Sequence, residues 1–396
     1  MLTKVLYKAV LMFSACFFFV ACSQDDAVSR DAGTTSSVRV LCRLANTEIT
    51  RADTEDGWNG DWHENTITRL DLFRFSSEGA YKDHYVLTQD DNIPDFTEYL
   101  SEYKPLTFEG LTYSSVAEST GDTYYLIANC AGLEGVENIS AEDLKKKMAT
   151  PPLNYGEKQT VFAMDGEGTL AEADKAITLS FDLKRAAVKI RLAVKGASGG
   201  NILDKCAYQI NNFVESPTSV LEAGEDYGKG DGQTYTSTDA YVEFPLLNDN
   251  EDKAVFYSYP NKWFDEGKVG GSAGKWTITD FTSEAPITGD ETYILLKAPY
   301  GDTEYYYKVP VNYAIYKDND ATSFTDAQLE EIRDLYRIKR NNIYDITVTI
   351  DRAGGPITAP VTPMFYVRIN DWEKGGDYHI TEGEFQEDQE EESKTD

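Results

Sequence analysis

Histidine and cysteine are scarce in this chain: 3 His and 5 Cys among 396 residues leave little material for a metal cage or a disulfide framework. Positive charge is also short. The 37 Lys and Arg face 68 Asp and Glu, a formal net charge of −31, so a nucleic acid would be repelled rather than gathered. The apolar run from Ala9 to Ala21 falls short of the ~20 residues that a membrane-crossing helix needs. No glycine-rich phosphate loop, nucleophile elbow or kinase signature occurs, and no repeat of fixed period suggests a solenoid or propeller. His63, His84 and His379 are scattered, with no Cys or second His at ligand spacing, and read as surface or turn residues. The acidic stretch Asp53-Thr54-Glu55-Asp56-Gly57 departs from calcium-loop spacing and reads as a solvated loop. With so many acids, no carboxylate pair for glycoside hydrolysis stands out. The expectation is a non-enzyme with no cofactor and no bound metal.

What is present is a globular composition: 41% hydrophobic, 12% aromatic, with 26 Tyr, in a chain long enough for two or three domains. Residues 1–22 read as a signal peptide, with Lys4 and Lys8 ahead of the apolar run. The run closes on Phe19-Val20-Ala21-Cys22, which resembles a lipobox whose Cys22 takes lipid. The polar switch to Ser23-Gln24-Asp25-Asp26 follows at once, and its acidic pair resembles the surface-export signal of some Gram-negative lipoproteins. Multiple acyl chains on Cys22 would make a stable anchor, since each buried CH₂ contributes roughly 0.8 kcal/mol.

Residues 23–37 form a Ser/Thr-rich linker. Val38, Val40, Cys42 and Leu44 then alternate with Arg39, Leu41 and Arg43, a strand of period two. Further strands are expected at 66–75, 123–129, 254–259, 292–298, 304–311 and 344–350, with a long or bent one at 177–194. In the last of these Ala186, Val188, Ile190, Leu192 and Val194 share a face while Lys189 and Arg191 point away. Two short helices are expected, capped by Ser140 and Thr325. The pattern implies an all-β chain of two tandem β-sandwich domains with few short helices. The division runs 1–22 signal peptide, 23–51 linker and first strand, 52–183 first sandwich, 184–381 second sandwich and 382–396 acidic tail. Cys42, Cys130 and Cys206 read as small buried hydrophobes, with a Cys130–Cys206 pairing left open.

The order of these features resembles the precursors of type V fimbrillins. A lipobox, a linker and an alternating strand precede Arg51-Ala52. The stretch Thr123-Tyr124-Tyr125-Leu126-Ile127-Ala128-Asn129 resembles that family's YVIAN strand, and Val161-Phe162-Ala163-Met164-Asp165-Gly166 its FPMTG turn. Leu183-Lys184-Arg185-Ala186-Ala187-Val188-Lys189-Ile190 is similar to its LxRxxAKI segment, Arg340-Asn341-Asn342-Ile343-Tyr344 to its RNxxY entry, and Trp372 to its late Trp.

The resemblance implies a structural subunit of a surface fimbrium, in the shaft or as a tip or minor component, supporting adhesion, with transthyretin-like sandwich domains and with residues 23–51 as a propeptide that carries a removable strand. It would be exported as an outer-membrane lipoprotein precursor and cut between Arg51 and Ala52 by an arginine-specific protease. Cleavage would free the strand bearing Val38, Val40, Cys42 and Leu44, and another subunit's strand would refill the groove, head to tail. Arg39 and Arg43 would be protected inside the paired strand. The resemblance places the donor near the C-terminus, where Phe365, Val367, Ile369 and Trp372 are candidates; the acidic segment beyond Glu382 is a poor filler for an apolar groove. Implied partners are other copies or paralogous fimbrial subunits, the protease, the outer membrane through the lipid, and host proteins or glycans. The alternative is a surface glycan-binding lipoprotein using Trp58, Trp62, Trp263 or Trp276.

Overall fold

The alternation in the sequence becomes strands through most of the chain. The computed structural model describes residues 37–44, 64, 66–91, 93–94, 103–117, 121–133, 136–147, 150–156, 159–173, 176–216, 234–244, 252–279, 289–312, 323–371 and 379–381. These belong to one compact unit.

The first half supplies β1 (Ser37–Leu44), β2 (Arg69–Phe75), β3 (Tyr81–Thr88), β4 (Lys104–Leu106), β5 (Thr123–Ala128), β6 (Met164–Glu167), β7 (Thr169–Ala173) and β8 (Ala176–Arg185). They form an eight-stranded sheet of order β3-β2-β5-β6-β8-β1-β4, with β7 also on β8. The sheet turns at β6, so Leu70, Leu72 and Leu126 from one side meet Leu179, Phe181, Val40 and Cys42 from the other in one buried cluster. That closure is a sandwich made from a single sheet. Strands β2 and β5 bury their other face too, with Phe73, Phe75, Tyr125 and Ile127 under Leu133 and Leu144. Gly166, at the turn of the sheet, is required by proximity: a Cβ there would lie 2.4 Å from the Asp182 carbonyl oxygen.

The second half adds β9 (Val188–Gly196), β10 (Ala207–Asn211), β11 (Phe213–Ser216), β12 (Thr234–Thr236), β13 (Val242–Glu243), β14 (Ala254–Ser258), β15 (Asn261–Lys262), β16 (Val269–Ser272) and β17 (Lys275–Ile278). It continues with β18 (Tyr293–Tyr300), β19 (Thr303–Pro310), β20 (Arg337–Ile338), β21 (Asn342–Ile350), β22 (Met364–Asp371) and β23 (His379–Thr381). A five-stranded sheet, β14-β9-β21-β22-β23, packs on a four-stranded one, β13-β10-β18-β19, around Ile190, Leu192, Ile294, Leu296, Ile346 and Val348. Hairpin β16–β17 and two further short pairs, β11–β12 and β15–β20, complete the described strands.

Three short helices punctuate the described residues: α1 (Tyr113–Ala117), α2 (Ala141–Lys145) and α3 (Asp326–Asp334). Ser140 caps α2 by accepting from the Asp143 N–H, and Thr325 caps α3 in a reciprocal pair with Gln328. Both caps are where the sequence put them. The all-β architecture with few short helices is likewise as expected.

Two expectations need correction. The long strand at 177–194 is two strands, β8 and β9, separated by Ala186-Ala187, and the chain changes sheets there. Lys189 and Arg191 do turn from the apolar face, but into a second buried layer: both are at most 5% exposed. There Lys189 Nζ lies 2.9 Å from the Glu64 carboxylate and Arg191 pairs with Asp345. His84 is no turn residue either: it lies on β3, its ring 4.1 Å from Phe73 and its Nε2 2.9 Å from buried Asp71.

Candidate functional site

Strand β1 holds the candidate removable strand residues Val38, Val40, Cys42 and Leu44. Its odd-even pattern sorts Val40, Cys42 and Leu44 into the core, each at most 3% exposed, and Arg39, Leu41 and Arg43 outward. One edge pairs in parallel with β8 along the whole strand, from Ser37 opposite Ala176 to Leu44 opposite Leu183. Among the described residues the other edge pairs only with β4, which covers Val40, Leu41 and Cys42 and places Pro105 opposite Leu41. Proline has no N–H to donate, so it suits an edge and discourages further pairing.

Without β1, Leu179, Phe181 and Leu183 of β8 would face Leu106 across an open groove floored by Phe108 and Val116 of the same cluster. Each large apolar side chain gains about 1.5–3 kcal/mol on full burial, so an empty groove is strongly disfavoured. The resident strand is fastened at its rim by one polar clasp. Arg43 Nε donates to Asp182 Oδ1 at 2.7 Å and Nη2 to Oδ2 at 3.1 Å, a bidentate pair directly across the register. Tyr103 Oη donates to the same carboxylate at 2.8 Å, and the Arg43 guanidinium lies 4.5 Å from the Tyr103 ring centre. Burial pushes the Asp182 carboxyl up, but the hydrogen bonds from Arg43 and Tyr103 outweigh it and hold it below its ordinary range. Arg43 is raised, mainly by its hydrogen bonds to Asp182.

Cys42, in the middle of the strand, is fully buried, and burial pushes its thiol far up from its ordinary value. Burial likewise lifts Cys130 and Cys206 to about 12. All three are buried thiols of the packed interior, and none is in a disulfide.

Three of the sequence motifs, residues 183–190, 340–344 and 161–166, meet at the β8–β9 junction. Arg340 donates to the carbonyls of Arg185 (3.2 Å) and Lys184 (2.9 Å) and pairs with Asp165. Asn341, at φ 58°, accepts from the Arg185 N–H at 3.0 Å and donates its own N–H to Ala187 at 2.8 Å. Left-handed φ is tolerated best by Gly and Asn, which explains the residue type. Asn129, at φ 59°, ties three loops together through Thr68 N–H (2.8 Å), the Thr66 carbonyl (2.9 Å) and the Phe162 carbonyl (2.8 Å). Sequence reading singled these segments out only as motifs; their partners lie as far as 175 residues away.

Of the candidate donor strand, Phe365 and Val367 are buried in the second core on β22, and Ile369 is partly buried against it. Donation by β22 therefore requires that it leave β21, with which it pairs from Asn342–Asp371 to Thr349–Met364. Cys22, Arg51, Ala52, Trp372 and the 382–396 tail lie outside the described residues, as do Trp58 and Trp62. Trp263 is 1% exposed, which leaves no face for a sugar, and Trp276 donates its Nε1–H to Asp326 at 2.6 Å. Among the described residues no three His, Cys, Asp or Glu side chains converge as a metal cage, and no helix is long and apolar enough to cross a membrane.

No family model and no curated protein matches the chain. Several solved structures are similar to it. The tip fimbrial protein Mfa3 from Porphyromonas gingivalis is 12% identical, with 84% of this chain and 98% of that one covered, at a TM-score of 0.44. A fimbrial assembly protein from Parabacteroides distasonis is 12% identical over 88% of this chain and 98% of that one, at a TM-score of 0.43. A protein from Bacteroides eggerthii, provisionally named for cell adhesion, is 15% identical over 88% of this chain and 98% of that one, at a TM-score of 0.43.

Proposed function

We propose that this chain is a structural subunit of a surface fimbrium that accepts a strand from a neighbouring subunit after its own β1 is cut away. The observation that carries this reading is the setting of β1, bound along one edge to β8 and covered on the other by three residues of β4. Seven residues downstream of Leu44 the sequence offers Arg51-Ala52, a site for an arginine-specific protease. In the uncut precursor β1 fills its own groove and the molecule stays monomeric. After the cut nothing covalent holds β1, and the unpaired β8 edge templates a strand from another subunit. Donor and acceptor surfaces differ, so the contact repeats head to tail into a filament. In this reading Cys22 carries the lipid that brings the precursor to the outer membrane, and residues 52–183 and 184–381 are the two sandwich units of the filament.

Acceptance is the better-supported half of the exchange. The candidate donor β22 is built into the second core, which suits a subunit at the tip that receives a strand without giving one. Treating the purified full-length precursor with an arginine-specific protease should give a new N-terminus at Ala52, followed by oligomer ladders that survive mild heating. A clean cut at Arg51 that leaves a monomer with no change in assembly would sink this reading.

A further inference from the structure

We propose that the groove under β1 selects its incoming strand by a two-position code: a small apolar residue at the site of Cys42, followed by a cation at the site of Arg43. This rests on the strand-exchange reading and specifies the partner that reading leaves open.

The code comes from β8. Its residues alternate strictly: Ile177, Leu179, Phe181 and Leu183 face the core, while Ala176, Thr178, Ser180 and Asp182 face outward beside β1. Of these four outward positions Asp182 alone is charged. It holds Arg43 through both carboxylate oxygens, and Tyr103 closes over the pair. When β1 leaves, Asp182 keeps the Tyr103 hydroxyl and loses its counter-ion at a half-buried rim. A strand with Arg or Lys there restores the pair, and one with Asp or Glu sets two like charges against each other.

The same carboxylate fixes register. A slip of one residue would turn the cation into the core. A slip of two would place it beside Ser180 in one direction and against the cation of Lys184 in the other. The preceding position is set by volume. Cys42 is opposite Phe181 and has no exposure, whereas its inward neighbours Val40 and Leu44 are opposite Leu179 and Leu183. A large side chain at the Cys42 site would overpack against the ring. Within this chain β22 carries a matching order, Val367-Arg368-Ile369, and the Glu-rich segment after Glu382 does not.

The test uses the full-length chain cut after Arg51, with labelled synthetic peptides of residues 37–45 added in trans. Capture and release are followed by fluorescence anisotropy. Relative to the native peptide, Arg43→Glu should be captured about tenfold more weakly. Cys42→Trp should be captured at least as poorly, and Cys42→Ala nearly normally. Asp182→Lys in the protein should reverse the charge preference, so that it takes the Arg43→Glu peptide over the native one. Asp182→Asn, with little risk to folding, should remove the preference. Equal capture of native and Arg43→Glu peptides by all three proteins overturns the code while leaving strand exchange standing. Failure of the cut protein to capture any peptide overturns strand exchange itself, and the code with it.

Discussion

Among the described residues two strand pairs are parallel in sheets otherwise antiparallel, β1 on β8 and β21 on β9, and they differ in how firmly they are held. The two pairs are built alike. Strands β8 and β9 are successive, and each takes its parallel neighbour in an eight-residue register. Each pair also sets an Arg directly opposite an Asp: Arg43 opposite Asp182, Arg191 opposite Asp345. Their outer edges do not match. Eight residue pairs join β21 to β22, whereas three join β1 to β4. The ion pairs differ in the same direction. Arg191 and Asp345 are 4% and 12% exposed, with Lys253 3.4 Å from the same carboxylate, while Arg43 and Asp182 are 37% and 44% exposed. One strand is locked into its sheet on both sides. The other is fastened along one edge and at a solvated rim, an arrangement compatible with the proposed release of β1.

The largest effect should come from the locked pair. Removing Arg191 leaves Asp345 buried with only part of its charge compensated, and breaking such a pair costs about 3–5 kcal/mol. Arg191→Ala should therefore shift the denaturant midpoint of the whole chain strongly. Arg43→Ala, at a solvated rim, should cost about 1 kcal/mol or less. Equal shifts for the two substitutions would break the contrast between the strands.

An intermediate effect separates the strands by where the loss appears. Leu44 on β1 and Ile346 on β21 are both fully buried, so truncation of either to Ala should cost about 2–5 kcal/mol in the intact chain. After a cut at Arg51 their behaviour should part. Leu44→Ala should speed loss of the N-terminal fragment on size-exclusion chromatography, and Ile346→Ala should leave fragment retention unchanged. If both substitutions speed fragment loss alike, β1 is not an independently releasable unit.

These two strands also mark what the sequence could and could not reveal. The alternation of β1 and of β21 was plain, because each has one apolar and one polar face and local pattern follows burial directly. The caps at Ser140 and Thr325 were legible for a similar reason, since a cap is a bond within four residues. The break between β8 and β9 showed only as a change of phase, with apolar residues at odd positions through Leu183 and at even positions from Ala186; local pattern does not say whether such a shift is a bend or a change of sheet. The burial of Lys189 and Arg191 was not legible for lack of visible partners: Glu64 lies 125 residues upstream and Asp345 154 residues downstream. Strand β3, with Lys82, Asp83 and His84 in sequence, carried too much charge to read as a strand. It lies at the edge of its sheet, where such residues are usual. In the candidate site Val40, Cys42 and Leu44 were legible from pattern alone. Asp182 and Tyr103 were not, since the clasp joins residues 139 and 79 apart in sequence.

The smallest effect is the dependence of β1 retention on pH, and its sign follows from Asp182. Arg43 and Tyr103 hold that carboxyl below its ordinary value in the folded chain, with Lys184 adding to the same trend. A carboxyl depressed on folding contributes stability that is present above its unfolded value, near 3.9, and is lost as pH falls through the folded one. Retention of the cut β1 fragment should therefore be flat from neutral pH down to about 5 and weaken below about 4. The loss should be no more than about 1 kcal/mol, since both partners are more than a third exposed and solvent screens them. Fragment retention measured across this range in wild type and in Asp182→Asn isolates the clasp from general acid unfolding. The variant should start weaker at neutral pH and lack the added step below pH 4. Parallel curves for the two proteins would assign the acid sensitivity to other carboxylates. Strand β1 would then be held by its apolar face and its backbone pairing, without a contribution from the clasp.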